Sequence, residues 1–318
     1  MTILVTGGAG FIGSHVVDTY LEAGFSVAVV DNLVTGSRRN LNPQARFYEV
    51  DVRDRDALRE VFRKERPRFV NHHAAQINLR SSVDDPLYDA SVNILGTLTV
   101  LELSREFGVE KVIFASTGGA LYGEVEELPV SEERVPAPLS PYGVAKYAAE
   151  CYLRYYEAVW GIPYVALRYG NVYGPRQDPK GEAGVIAIFS ERILRGEPCV
   201  VFGDGTKTRD YVFVTDVAQA NLFALSAPPG AYNIGTGRET SVLELLALFE
   251  QVVKRKVDVV FAPERKGEIS RIALSVERAK RAFSWVPRVS LEEGLERTFF
   301  WFAEEMRCAG SVSYTHLT

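Results

Sequence analysis

The sequence is poor in the side chains that form disulfides and bind metal ions. Its three cysteines, Cys151, Cys199 and Cys308, stand far apart without a C-x-x-C pair. An odd, scattered set of cysteines is typical of reduced thiols in the cytoplasm rather than of a disulfide framework. Of four histidines only His72 and His73 are adjacent, which is not the spacing of a zinc site. We therefore predict a cytoplasmic protein without a metal, in which these two histidines belong to the scaffold.

Long apolar runs and an excess of basic charge are also missing. No run reaches the length of a membrane span, and the N-terminus has neither a basic region nor a cleavage site for secretion. The net charge of −5 argues against a protein that coats nucleic acid. With 318 residues, 47% of them hydrophobic, the chain is long enough for two moderate domains. We expect a soluble intracellular protein with no membrane or nucleic-acid partner.

A glycine-rich turn follows the first predicted strand. Thr2 to Thr6 has strand character, Gly7, Gly10 and Gly13 form a G-x-x-G-x-x-G pattern, and Ser14 to Glu22 is an amphipathic helix. In this strand–turn–helix context the glycines allow a tight turn and close approach of a pyrophosphate, which then lies at the helix N-terminus. The pattern predicts a dinucleotide-binding site.

Asp31 ends the second predicted strand, Ser26 to Val30. A carboxylate about 20 residues beyond such a turn can accept hydrogen bonds from both ribose hydroxyls and would repel a 2′-phosphate. This favours NAD over NADP. Two alternatives stay open: Asp31 only caps the following turn, or the nearby Arg38 and Arg39 bind a 2′-phosphate.

Strands and helices then alternate as far as Arg168, which predicts a doubly wound parallel Rossmann sheet with helices on both faces. Ligands of such sheets bind beyond the carboxyl ends of the strands, where Gly13, Asp31, Ala75 and Thr117 fall. The further predicted strands are 46–50, 68–71, 111–115 and 163–168, and the helices are 54–64, 86–107 and 139–160.

The regular alternation ends near Tyr169. We predict strands at 199–202, at 209–216 leading into a helix, and at 231–234 returning to the main sheet, with helical segments at 185–195, 240–253, 276–282 and 291–306. The expected domains are an NAD-binding Rossmann domain (1–170 with about 212–238) and a smaller α/β substrate domain (171–211 and 239–308). Residues 311–318 lack periodicity, which predicts a disordered tail.

Tyr142 and Lys146 stand four residues apart in Y-G-V-A-K. On a helix both side chains leave one face, with Cβ atoms roughly 5–6 Å apart. A tyrosine ordinarily deprotonates near pH 10, and we expect a neighbouring ammonium to favour the phenolate and lower that pKa. This pair therefore predicts an acid/base able to take a proton from an alcohol.

Taken together, these motifs resemble the extended short-chain dehydrogenase/reductase superfamily, and within it the UDP-glucose 4-epimerase family. The resemblance spans roughly residues 1–305 and is carried in order by T-G-G-A-G-F-I-G at Thr6–Gly13, Asp31, Asp51-Val52, Asn93, Ser116-Thr117, Y-G-V-A-K and R-Y-G-N-V-Y-G-P. It implies an NAD cofactor, a UDP-sugar substrate and a homodimer formed through the helices around Pro86–Phe107 and Leu139–Trp160.

The resemblance also implies roles for individual residues. Tyr142 is the expected acid/base and Lys146 the ligand of the nicotinamide ribose. Thr117 is the expected hydroxyl partner of the reacting sugar oxygen, with Ser116 as the alternative because the alignment is uncertain by one residue. The expected cofactor ligands are Gly7, Gly10, Phe11, Ile12, Gly13, Asp31, Asn32, Asp51, Val52, Ala74, Ala75, Gln76, Asn93, Tyr142, Lys146 and Tyr169. The expected substrate ligands are Thr117, Asn171, Val201, Arg209, Arg265 and Glu268.

The implied reaction is epimerisation at carbon 4 of a UDP-hexose through a transient 4-keto sugar. Alternatives are a UDP-N-acetylglucosamine or UDP-glucuronate 4-epimerase, a decarboxylase, or a 4,6-dehydratase, although Gly118-Gly119 lacks the Asp-Glu of that last group. A catalytically silent nucleotide-binding module is the alternative from another class. Ile272 matches a position where side-chain size selects between plain and N-acetylated hexoses, and its intermediate size leaves that choice open.

Overall fold

Strands form the frame on which the site is built. The computed structural model describes residues 1–180, 184–264, 269–308 and 310. The strands among them are β1 (Thr2–Thr6), β2 (Ser26–Asp31), β3 (Arg46–Glu49), β4 (Phe69–His72), β5 (Lys111–Thr117), β6 (Tyr164–Tyr169), β7 (Asn171–Tyr173), β8 (Cys199–Phe202), β9 (Thr208–Arg209), β10 (Tyr211–Phe213), β11 (Gly230–Ile234), β12 (Thr240–Ser241) and β13 (Val259–Ala262).

Seven of these strands form one parallel sheet in the order β11-β6-β5-β4-β1-β2-β3. The chain first builds outward from β1 to β3 and then returns to place β4 on the other side of β1. This reversal is the point at which open α/β sheets bind ligands beyond the carboxyl ends of their strands. The predicted doubly wound class is confirmed, as is the return of the segment at 231–234 to the main sheet.

The helices cover both faces of this sheet and build the smaller part. They are α1 (Phe11–Glu22), α2 (Arg55–Glu65), α3 (Leu79–Asp84), α4 (Pro86–Ala90), α5 (Thr97–Glu106), α6 (Pro141–Trp160), α7 (Val185–Arg195), α8 (Val214–Ala224), α9 (Val242–Val253), α10 (Glu277–Phe283) and α11 (Leu291–Cys308). A 3₁₀ turn (Arg38–Asn40) and a π-helical turn (Ser91–Gly96) complete the set. Among the described residues, no helix combines the length and the apolar character needed to cross a membrane.

Strand alternation divides the core between the two faces. Side chains such as Leu4, Val30 and Phe114 pack against α2, α5 and α6, whereas their neighbours, such as Ile3, Val5 and Ala115, pack against α1 and α8. Both faces are buried around β1 (T-I-L-V-T) and β2 (S-V-A-V-V-D), so these strands read as nearly continuous apolar runs, as expected inside a parallel sheet, whereas the edge strand β3 (R-F-Y-E) does not.

The sequence also sets where α6 starts and stops. Ser140 caps its N-terminus by accepting a hydrogen bond from the Gly143 N–H (3.2 Å), Pro141 occupies the first turn, and Gly161 ends the helix at φ 66°. Hydroxyl caps, an initial proline and a left-handed glycine are the usual helix boundaries. These local signals hold Tyr142 in the first turn of α6.

The smaller part has its own hydrophobic core, formed by α7, α9, α11 and β8 around Phe189, Phe249 and Phe299. The second, smaller α/β unit expected from the sequence is therefore present. The residue limits given above for the two domains stay a prediction, and the predicted tail at 311–318 lies outside the described residues.

Several predicted elements need correction. Residues 214–216 begin α8 instead of extending a strand, and the helix predicted at 86–107 is interrupted by the π-helical turn. The short elements α3, β7 and β13 were not predicted. Strands of three or four residues and a six-residue helix contain too few positions to show a period, which explains the omissions.

Asp210 joins three segments where the sheet meets the smaller part. Its fully buried carboxylate accepts hydrogen bonds from the N–H (2.7 Å) and hydroxyl (2.6 Å) of Thr236 and from the N–H groups of Gly237 (3.0 Å) and Leu274 (2.9 Å). We predict that Asp210→Asn lowers the free energy of unfolding by about 3 kcal/mol, because an amide nitrogen facing N–H donors leaves buried groups unpaired.

Urea denaturation measures this loss. Asp204→Asn is the matched control, since Asp204 makes a similar pair of bonds to Thr206 on an exposed turn, and we expect little change there. Equal midpoints for the two variants would show that the Asp210 contacts do not carry the stability assigned to them.

Candidate active site

The glycine turn between β1 and α1 leaves no room for side chains. Gly7 adopts φ +70°, and a Cβ there would lie 2.6 Å from the Ala74 nitrogen. A Cβ on Gly13 would lie 2.2 Å from the Gly7 carbonyl oxygen. Helix α1 begins at Phe11, three residues earlier than predicted, so Phe11, Ile12 and Gly13 form its first turn.

The N-terminus of α1 suits an anion. Its N-cap, Gly10, provides no side-chain cap, and the first turn carries no acidic residue. The N–H groups of a first helical turn lack partners within the helix, and the helix dipole favours negative charge beside them. These features fit the pyrophosphate of a dinucleotide.

Asp31 ties the end of β2 to the glycine turn. Its carboxylate accepts hydrogen bonds from the N–H groups of Ala9 (3.0 Å) and Leu33 (2.8 Å), and burial raises its pKa. The bond to Leu33 caps the local turn, as the alternative interpretation expected. The bond to Ala9 also places the carboxylate against the glycine turn between β1 and α1. Arg38 forms an ion pair with Glu49 and lies over the Phe47 ring, so β3 holds this guanidinium.

The next predicted ligands lie at the ends of β2 and β3. The Asn32 amide donates a hydrogen bond to Asp51 (2.9 Å), and Arg53 forms an ion pair with the same carboxylate (2.7 Å). Val52 is buried against Gly96. A Cβ added to Gly96 would lie 2.9 Å from the Val52 side chain. Val52 therefore offers a ligand its backbone rather than its side chain.

The segment after β4 is held by the π-helical turn. Asn93 accepts a hydrogen bond from the Gln76 N–H and donates to the Gln76 carbonyl and to Asp89, each at 2.9 Å. Its amide is fully engaged in shaping residues 74–76, so its predicted contact with the cofactor stays untested. Ala74 and Ala75 have no bulk beyond Cβ, which leaves the strand end open to a ligand.

Tyr142 and Lys146 lie on one face of α6, as predicted, with the Lys146 Nζ 5.9 Å from the centre of the Tyr142 ring. Nζ donates to the Ala115 carbonyl (2.8 Å). Burial lowers the pKa of Lys146 to about 8, against the raising effect of Asp89 and Glu150. Burial also raises the pKa of Tyr142, and Asp89 raises it further. The prediction that this tyrosine has a lowered pKa is therefore wrong for the chain by itself.

Thr117 and Ser116 have different surroundings, because neighbouring residues of a strand point to opposite faces. Ser116 donates a hydrogen bond to Glu150 on α6 (2.5 Å), which engages its proton within the protein, and its alternative role as the hydroxyl partner of the substrate stays a prediction. The Thr117 hydroxyl accepts a bond from the Ala120 N–H (3.1 Å), which leaves its own proton to donate. A Cβ built on Gly119 would lie 4.0 Å from this hydroxyl and 3.6 Å from the Asn171 amide oxygen.

The predicted substrate ligands lie in different surroundings. Pairing of β7 with β10 sets Asn171 opposite Tyr211, and its N–H donates a hydrogen bond to the carbonyl of Asp210 (2.7 Å), the residue that follows Arg209. Val201 is buried in the core of the smaller part, so only its backbone can reach a ligand. Its neighbour Phe202 is partly exposed on the other face of β8 and was not predicted. Arg265 and Glu268 lie outside the described residues.

Other polar groups near the site were also missed. Asp89 is a buried carboxylate next to Tyr142 and Lys146, and Glu150 and Arg168 form a buried ion pair behind them. The i, i+4 spacing of Lys146 and Glu150 on the predicted helix was the available signal for Glu150; nothing local indicated Asp89.

The adjacent histidines are scaffold residues, as predicted. His72 bonds to the hydroxyls of Thr6 (2.6 Å) and Thr97 (3.0 Å), and His73 lies 3.2 Å from the Tyr169 hydroxyl, which also bonds to Asn221. Burial lowers the pKa of both histidines to about 3, so they stay neutral. Within the described ranges, no cluster of three potential metal ligands occurs.

Comparison with known proteins gives a consistent picture. The sequence profile of the family described as NAD dependent epimerase/dehydratase matches residues 3–235. A UDP-glucose 4-epimerase of Mycolicibacterium smegmatis is 42% identical over 95% of this chain and 98% of its own length. The crystal structure of a Thermotoga maritima UDP-glucose 4-epimerase with UDP-glucose has a TM-score of 0.95 and 50% identity, covering 96% of this chain and 100% of that one. A Thermus thermophilus UDP-glucose 4-epimerase complexed with NAD has a TM-score of 0.92 and 47% identity, covering 95% and 99%.

We predict that Gly13→Ala removes dinucleotide binding, because the added methyl group would collide with backbone atoms of Gly7 that no side-chain movement can relieve. Gly24→Ala, just after the C-terminus of the same helix, is the control: Gly24 has φ +83° and open space around it, so we expect only strain of about 1 kcal/mol. Calorimetric titration with NAD and thermal unfolding measure the two effects. Equal NAD affinity in both variants would contradict the assignment of the glycine turn as the site that binds the pyrophosphate of NAD.

Proposed function

The chain belongs to the NAD dependent epimerase/dehydratase family, and we propose that it interconverts UDP-glucose and UDP-galactose by NAD-dependent epimerisation at carbon 4. The observation that carries this proposal is the Tyr142–Lys146 pair, which lies on α6 beside the carboxyl end of β5 together with the Thr117 hydroxyl. The UDP-glucose 4-epimerase names of relatives at 42–50% identity over nearly the whole chain support it.

The residues at the strand ends fit NAD. The first turn of α1 would hold the pyrophosphate, Asp31 the adenosine ribose, and Lys146 the nicotinamide ribose. When bound, NAD⁺ supplies the hydride acceptor and donor, and its positive ring favours an anion nearby. Asp31 would repel a 2′-phosphate, and Arg38 is engaged by Glu49, so NAD is favoured over NADP.

Tyr142 acts as the acid/base on the 4-hydroxyl of the hexose. Its phenolate takes the hydroxyl proton when the 4-keto sugar forms and returns it when the hydroxyl is restored on the opposite face. Thr117 donates its hydroxyl proton to the reacting oxygen and so helps to orient it. Lys146 keeps its charge at neutral pH, because its pKa of about 8 lies above that value, and this charge opposes the effect of burial on Tyr142.

The UDP end is bound by the smaller part of the molecule. Arg209 suits a diphosphate, because its planar guanidinium can form two parallel hydrogen bonds with phosphate oxygens. The Asn171 N–H donates a hydrogen bond to the carbonyl of Asp210, the residue that follows Arg209. Arg265 and Glu268 are proposed to complete the nucleotide contacts, with the partly exposed ring of Phe202 as a surface for the base.

Features around the hexose favour epimerisation over elimination. Gly118 and Gly119 provide no acid that could expel water from carbon 6, as a 4,6-dehydratase requires. Ile272, the expected selector of N-acetyl groups, is buried with Leu121 and Tyr122, so its size acts first on packing beneath the site. Ile272 thus leaves the choice open, and the UDP-glucose 4-epimerase names of the relatives lead us to propose a plain UDP-hexose as the preferred substrate.

The protein is also proposed to be a homodimer. Exposed apolar side chains follow the outer faces of neighbouring helices, with Leu87 of α4 82% exposed and Leu95 of the π-helical turn 58% exposed. Val144, Tyr155 and Val159 continue this surface along α6, which packs against α4 and the turn. An apolar surface of this kind indicates a protein interface. The cytoplasmic location stays a prediction from the cysteine pattern.

Replacing Tyr142 by Phe tests the function. We expect the wild-type enzyme to convert UDP-glucose into UDP-galactose, and Tyr142→Phe to lose at least about 100-fold in kcat, because no other group takes the proton. Bound NAD should be unchanged. The assay is chromatography of the UDP-sugars with NAD quantified after denaturation.

The matched control is Tyr232→Phe. It removes a hydroxyl that donates a hydrogen bond to the Pro228 carbonyl just before β11, away from the site. A wild-type protein that binds NAD but converts no UDP-sugar would favour the silent binding module. Undiminished turnover by Tyr142→Phe would refute the role given to this tyrosine.

A charge on the exposed apolar surface tests the dimer. We predict that Leu95→Glu converts a dimer into a monomer, because each subunit would bury an unpaired carboxylate in the interface. Val260→Glu, at a side chain 50% exposed on β13, should leave the dimer intact. Sedimentation equilibrium distinguishes the two states, and a wild-type protein that sediments as a monomer would end this part of the proposal.

A further inference from the structure

A buried ion pair lies directly behind the catalytic side chains. The Arg168 guanidinium donates to Glu150 through Nε (3.0 Å) and Nη2 (2.6 Å), and the two side chains are only 7% and 6% exposed. Ser116 donates to the same carboxylate (2.5 Å), and the remaining Arg168 nitrogen, Nη1, donates to the Tyr122 hydroxyl (2.8 Å). Tyr122 in turn donates to Asn233 on β11 (2.7 Å).

Three members of this network adjoin a residue of the proposed site. Ser116 precedes Thr117 on β5, and Arg168 precedes Tyr169 on β6; the register pairs Ser116 with Arg168 and Thr117 with Tyr169. Glu150 is one helical turn beyond Lys146 and two beyond Tyr142. We propose that Glu150 is a positioning residue, which fixes α6 against β5 and β6 and so sets the geometry between the acid/base pair and the Thr117 hydroxyl. This inference rests on the proposed function.

Stability alone does not explain such a pair. Two buried charges lose their hydration, and apolar side chains of similar volume often give an equally stable fold. The two hydrogen bonds from Arg168 to Glu150 have a defined direction, which apolar packing lacks. They therefore fix one orientation of α6 relative to the strands. Here one carboxylate accepts donors from both strands at once.

Glu150 also acts on the charge of Lys146. The titratable groups that face Lys146 are Asp89 of α4, Tyr142 and Glu150 of its own helix, His72 at the end of β4 and His73 directly after it. The histidines are neutral, so the two carboxylates keep the ammonium charged, and both raise its pKa. Loss of the Glu150 charge should therefore lower the pKa of Lys146.

The test uses the NAD-bound protein and the double variant Glu150→Gln/Arg168→Gln, which leaves no unpaired buried charge, alongside Glu150→Gln. We expect the double variant to bind NAD and UDP-glucose with a KM near that of the wild type, while kcat falls about 10- to 100-fold through misplacement of the reacting groups. The alkaline limb of its pH profile should move to lower pH, because the ammonium that supports the phenolate is lost earlier.

Tyr156→Phe is the matched control, because it breaks a hydrogen bond between the same helix and Glu102 of α5 (2.6 Å) on the side away from the site. It should lower the melting temperature without moving the pH profile. A double variant with wild-type kcat and pH profile, or one that loses activity only in proportion to bound NAD, would overturn the proposal.

Ultraviolet titration of the Tyr142 phenolate, by difference from Tyr142→Phe, is a readout that does not depend on turnover. We expect its pKa to be higher in the double variant, and an unchanged value would also overturn the proposal. If the wild type converted no UDP-sugar, the proposed function would fail, while this titration would still decide the role of Glu150.

Discussion

The buried ammonium of Lys146 is the interaction on which the site depends. A charge inside a protein is costly unless it is paired and hydrogen-bonded, and here the partners come from three separate elements. The Ala115 carbonyl of β5 accepts its hydrogen bond, the carboxylates of Asp89 and Glu150 compensate its charge, and the Phe114 ring lies 4.7 Å from Nζ. The charged form of buried Lys146 is therefore stabilised only when several elements are folded together. These are β5, α6 and the π-helical turn, whose Asn93 holds Asp89.

Tyr142 shows why the cation has to be there. Burial works against ionisation of the phenol and, next to Asp89, raises its pKa, so a tyrosine at this position is a poor base when considered alone. Proton transfer by Tyr142 in the neutral range would need positive charge nearby, which the proposed mechanism assigns in part to Lys146 and otherwise to bound NAD⁺. In the proposed mechanism the acid/base therefore depends on the cofactor, in keeping with a reaction in which the proton and the hydride leave the sugar together.

Much of the fold and part of the site could be predicted from the sequence, because their signals are local. The glycine turn, Asp31 and the Tyr142–Lys146 spacing each sit within one strand–turn–helix unit or one helix, so a short window of residues contains the whole pattern. Asp89, the Glu150–Ser116 bond and the burial of Val201 could not be predicted, because each depends on elements distant in sequence. Ser116 and Thr117 differ by one residue in the alignment of the motif, and the sequence does not show which face of β5 each side chain occupies.

The structure separates rigid from permissive surroundings within a few ångströms. On the α6 side, Ser116, Glu150 and Arg168 fix the helix to two strands through short, buried bonds. On the side proposed for the hexose, Gly119 carries no side chain, and a Cβ there would meet only Thr117 and Asn171 at van der Waals distance, whereas Gly118 packs closely against Leu274. A reaction that returns hydride to the opposite face of a sugar requires both properties, since the reacting groups must hold still while the hexose turns between them. We therefore expect the tighter contacts at the diphosphate, which the proposal assigns to Arg209, because binding there restrains the nucleotide without restraining the sugar ring.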